Sequence, residues 1–85
     1  MIKKESLETA YCFLHQKQRV YQYSTLDWQR DDIEYVIANF VTDGIDKEIY
    51  DLIANGRKGY LLEHEYFGAD MVDAVAKLEK MLFNG

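Results

Sequence analysis

Leu7, Ala10, Tyr11, Leu14 and Tyr21 recur at intervals of three, four and seven, the spacing at which side chains share one face of an α-helix. Phe13 and Val20 lie seven apart and widen this stripe. The pattern predicts a first helix over residues 5–22. A helix ending near Gln18 with a strand at 20–23 competes, because Val20, Tyr21 and Tyr23 favour extended backbone. Tyr21 keeps the stripe in phase and supports the continuous helix. Ser24 followed by Asp27 has the shape of a capping box with Asp in place of Glu. A second helix then runs over 26–42. Its inner face is Ile33, Val36, Ile37, Phe40 and Val41, with Leu26 two turns upstream. Asp43-Gly44 is expected to end it through a left-handed glycine cap. Asp46 is the expected N-cap of a third helix over 46–55, with Ile49, Leu52 and Ile53 as its apolar edge and Asn55-Gly56 as its stop.

Residues 57–67 are ambiguous. Leu62 over Tyr66 suits a short helix; Tyr60, Leu62, His64 and Tyr66 alternate as a strand would. A strand needs a partner, which only residues 20–23 could supply, and an isolated pair is marginal; leucine and glutamate also favour the helix. The last helix is expected over 71–83, capped by Asp70, with Met71, Val75, Leu78 and Leu82 on its inner stripe and an Asp73–Lys77 pair outside. The chain has no proline, and its glycines flank the apolar runs. The reading is therefore all-α: one domain over 1–85, a compact bundle of four to five short helices. Its alternative is α+β, with residues 19–24 and 59–66 paired as a two-stranded sheet.

Composition narrows the function classes. The chain is 48% hydrophobic and 29% charged, with 15 Asp and Glu against 10 Lys and Arg, enough apolar material for one core. The acidity and the lack of a basic cluster argue against nucleic acid, whose phosphates demand a positive face. The single cysteine, Cys12, cannot form an internal disulfide. The first residues read as no secretory signal and no run is long enough to span a bilayer, so a cytoplasmic protein, away from membranes, is expected.

Five constellations carry chemistry. Glu8, Cys12 and His15 sit at i, i+4 and i+7, and all three side-chain types ligate metals, yet no second cluster completes a tetrahedron. Cys12 as a nucleophile would lie mid-helix, without the backbone donors or dipole that activate a thiol. Glu63-His64-Glu65 flanks an imidazole with carboxylates, but consecutive helical residues fan out about 100° apart. The outer face of the second helix combines Asp27, Asp31 and Glu34 with Trp28, Asp32 and Tyr35. Trp and Tyr dominate interface hot spots, and carboxylates steer a basic partner; the competing reading folds Trp28 back onto the core. Seven tyrosines suggest amphipathic half-buried edges or a dimer seam.

No phosphate-binding glycine loop, zinc-protease helix or nucleophile elbow occurs. The sequence thus points to a non-enzymatic, cofactor-free interaction module that binds a protein with a basic surface, of the kind immunity proteins and antitoxins represent. A homodimer without other partners is the second expectation. A metal binder or enzyme using Glu8, Cys12, His15 or His64 is the third.

Overall fold

Four α-helices build the chain in this computed structural model, which describes residues 2–83: α1 Lys4–Tyr23, α2 Asp27–Asn39, α3 Lys47–Ala54 and α4 Phe67–Phe83. The all-α reading holds, and no strand occurs among the described residues. The sheet between 19–24 and 59–66 is therefore not formed: residues 19–23 complete α1, and 55–63 are irregular.

The periodic stripes become the interior. Ala10 and Leu14 of α1, Ile33 and Ile37 of α2, Ile49 and Ile53 of α3, and Met71, Ala74, Val75 and Leu78 of α4 form one buried cluster. The large members are each worth about 1.5–3 kcal/mol of burial. α1 lies most extensively against α4, with α2 on α1 and α3 on α4. Aromatic pairs close the seams: Phe13 stacks on Phe40 at 4.3 Å and Tyr21 meets Phe67 edge-on at 5.1 Å. The tyrosines divide by position. Tyr60 is buried, Tyr11, Tyr21 and Tyr50 are half-buried, and Tyr23, Tyr35 and Tyr66 are exposed.

Helix boundaries depart from expectation where local signals had competition. Ser24 does not cap α2; its hydroxyl turns back and donates to the Val20 carbonyl at 2.7 Å. Leu26 is the residue before the helix, and Gln29 reaches back to accept its N–H. α2 does not run unbroken to 42. It widens into a π-turn over Phe40–Gly44, closed by the Ile45 N–H on the Phe40 carbonyl at 2.7 Å. Gly44 is not left-handed. Its value is space, because a Cβ there would stand 3.0 Å from the Phe40 ring. Asp46 does cap α3, accepting from the Glu48 N–H at 2.9 Å, and Asn55 ends that helix in the left-handed region at φ 51°.

The short helix expected within 57–67 is replaced by a loop and a single 3₁₀ turn, His64–Tyr66. Gly56 and Gly59 both have φ of 81°, and Leu61, fully buried, has φ of 63°. A helix cannot pass through such residues. What holds Leu61 there is Asp70. That residue is not the N-cap of α4, which starts a turn earlier at Phe67. Its carboxylate, 3% exposed, takes two bonds from Arg57 at 2.7 and 2.9 Å and one from the Leu61 N–H at 3.1 Å. Tyr60 donates its hydroxyl to Asp73 at 2.6 Å, and Lys77 donates to the Ile53 carbonyl at 2.6 Å. The expected Asp73–Lys77 pair is present at 2.9 Å. Burial, then the bond to Asp73, push the Tyr60 phenol up, so it stays a donor. Burial pushes the Asp73 carboxyl up too, but its bonds from Tyr60 and Lys77 outweigh that and hold it below the usual range.

Candidate interaction surface

α2 turns its apolar side inward through Ile33 and Ile37. At about 100° per residue, positions 28, 31, 32 and 35 all fall within about 60° of the direction opposite that side. The structure exposes all four: Trp28 is 61% accessible, Tyr35 71%, and Asp31 and Asp32 are also open. Trp28 does not fold back onto the core. The result is a face on which two large aromatic rings stand two helical turns apart with carboxylates between them. Exposed Tyr23 and Leu26 lie just before it in the chain.

Two of the expected face residues lie on its flank. Asp27 is exposed in the first turn of α2. Glu34 is half-buried and faces the chain leading into α4. Both its oxygens lie within hydrogen-bonding distance of His64 Nδ1, at 2.8 and 2.9 Å. His64 therefore pairs with a carboxylate thirty residues away rather than with its neighbours Glu63 and Glu65. Tyr21, Asp27, Arg30, Asp31 and His64 line a cavity of about 340 Å³ at this flank. Arg30 is occupied there, donating to the Ser24 carbonyl at 3.2 Å and lying over the Tyr21 ring.

The hydrogen bond that His64 donates to Glu34, then the charge of that carboxylate, raises the imidazole above its ordinary 6.5. A raised histidine contributes fully below its unfolded pKa and loses the contribution as pH climbs through the folded value. NMR titration of the His64 ring should give a midpoint above 6.5, falling toward that value in Glu34→Gln. Equal midpoints in the two proteins would show that the pair does not form in solution.

The other constellations are not assembled. Cys12 and Glu8 are exposed on α1, while the His15 ring stacks on Tyr11 at 5.4 Å. Cys12 lies mid-helix, as expected, with Tyr11, Leu82 and Phe83 beside it in a shallow groove. Among the described residues, the histidine, cysteine and carboxylate ligand atoms that converge belong to Asp31, Glu34 and His64. Sequence spacing could show Asp31 and Glu34 one turn apart, but nothing in it announced His64 as their neighbour. No protein family, no curated protein and no solved structure matches the chain. No helix among the described residues is long and apolar enough to cross a membrane.

Proposed function

We propose that the protein is a non-enzymatic interaction module that engages a protein with a basic surface through the outward face of α2. The observation that carries this reading is the exposure of Trp28 and Tyr35 on the side of α2 opposite Ile33 and Ile37. Large aromatic surface left in water is costly unless a partner covers it, and Trp and Tyr are the side chains that most often anchor such contacts. Asp31 and Asp32 between them, on a chain of net charge −5, give the face the sign that attracts lysine and arginine. Neutralising a basic toxin or nuclease, as immunity proteins and antitoxins do, is the function class that fits this charge and size.

The test separates folding from binding. The double variant Trp28→Ala, Tyr35→Ala should melt within roughly 0.5 kcal/mol per site of the parent, as surface substitutions do. It should also lose the protein that the parent captures from native lysate. A loss of several kcal/mol would place the rings in the core and end the proposal. Retention of the same captured protein by the double variant would move the contact elsewhere. Self-association that disappears in the double variant would make this face a homodimer seam instead.

A further inference from the structure

We propose that Asp31, Glu34 and His64 form a binding site for one divalent transition-metal ion between α2 and the turn that opens α4. One ligand atom from each residue can be chosen so that all lie within 4.8 Å of one another. Asp31 and Glu34 are presented one turn apart by a single rigid helix. His64 arrives from a different element, held by the 3₁₀ turn and by α4 behind it. The convergence therefore depends on the tertiary fold, and is not an accident of neighbouring positions in one acidic helix.

The donor set selects the class of ion. Two carboxylates and an imidazole form a mixed oxygen–nitrogen set of the kind zinc and its first-row neighbours accept, whereas calcium and magnesium take oxygen ligands. Glu34 is the fixed member, its side chain 16% exposed, and His64 is the adjustable one at 81%. Donors in a tetrahedral zinc site stand about 3.3 Å apart. The His64 Nδ1 to Glu34 separations of 2.8 and 2.9 Å need to open by only about half an ångström to reach that spacing, within the freedom of an exposed ring. On binding, the ring lone pair at Nδ1 goes to the metal, and a proton held at Nδ1 passes to Nε2 or to solvent. The adjoining cavity lined by Asp27, Asp31 and His64 gives water access to the remaining coordination positions. Arg30, the cation bordering it, is engaged by the Ser24 carbonyl and Tyr21.

The experiment is titration of zinc chloride into tag-free full-length protein at pH 7.5, followed by calorimetry in two buffers of different ionisation enthalpy. The expected result is one zinc per chain in both buffers, with a melting temperature that rises with free zinc. His64→Ala and Glu34→Gln should each weaken binding by at least about tenfold, the scale on which even supporting residues of metal sites act. The double variant Cys12→Ser, His15→Ala should bind as the parent does. Every variant is checked for parental helicity by circular dichroism. No saturable zinc uptake by the parent overturns the proposal and leaves a plain His64–Glu34 ion pair. Unchanged affinity in folded His64→Ala, or loss of binding in the Cys12, His15 variant, overturns it equally.

Discussion

Replacing Phe67 with alanine should destabilise the protein by about 3–5 kcal/mol, the usual consequence of removing a phenyl ring from a packed interior. The ring is 1% exposed and meets Tyr21 edge-on where α4 begins, so the void would open between α4 and the end of α1. In a domain of this size the melting temperature should fall by more than about 12 °C. Phe67→Leu, which keeps most of the volume, should cost less than about 1.5 kcal/mol. Trp28→Ala provides the contrast, since it deletes a larger aromatic with little change in the melt. If the two alanine variants melted alike, the division of this chain into inside and outside would be wrong.

Asp70→Ala should cost about 3 kcal/mol. The buried Leu61 N–H would lose its acceptor, a penalty of about 1–3 kcal/mol by itself, and two charge-assisted bonds from Arg57 would go with it. Leu61 would then be held in its left-handed backbone only by the packing of its own buried side chain. Asp70→Asn keeps an acceptor for Leu61 and discards the charge, so it should fall between the parent and the alanine variant. Denaturant melts rank the three. Amide exchange reads the mechanism directly, because the Leu61 N–H should be protected in the parent and exchange freely in Asp70→Ala. A protected Leu61 amide in the alanine variant would show that this carboxylate is not what pins the loop.

The four stripes were legible because each is a local property: Leu7 through Tyr21, Ile33 through Val41, Ile49 with Ile53, and Met71 through Leu82 repeat at helical spacing within one segment. The N-cap at Asp46 and the stop at Asn55 were legible for the same reason. The segment from 57 to 66 was not. Its conformation is imposed by α4, through a carboxylate nine to thirteen residues further on, and hydrophobic periodicity holds no record of such a bond. Asp70 looked like a cap because a polar residue before an apolar run usually is one. Phe67 already belongs to α4, although its place in the sequence groups it with the preceding segment. The α2 face was legible as a list of residues, and the structure added that Trp28 stays outside while Glu34 turns aside to His64. That last contact spans thirty positions and needed coordinates.

Trp28 is the only tryptophan in the chain, and it stands in water on the proposed contact face. Its fluorescence is consequently a private reporter of that face. Emission should blue-shift when a partner covers the ring, and it should barely change when the protein unfolds, because the indole is hydrated before and after. Loss of the folded state must then be followed through the tyrosines, of which Tyr60 passes from a dry interior to solvent.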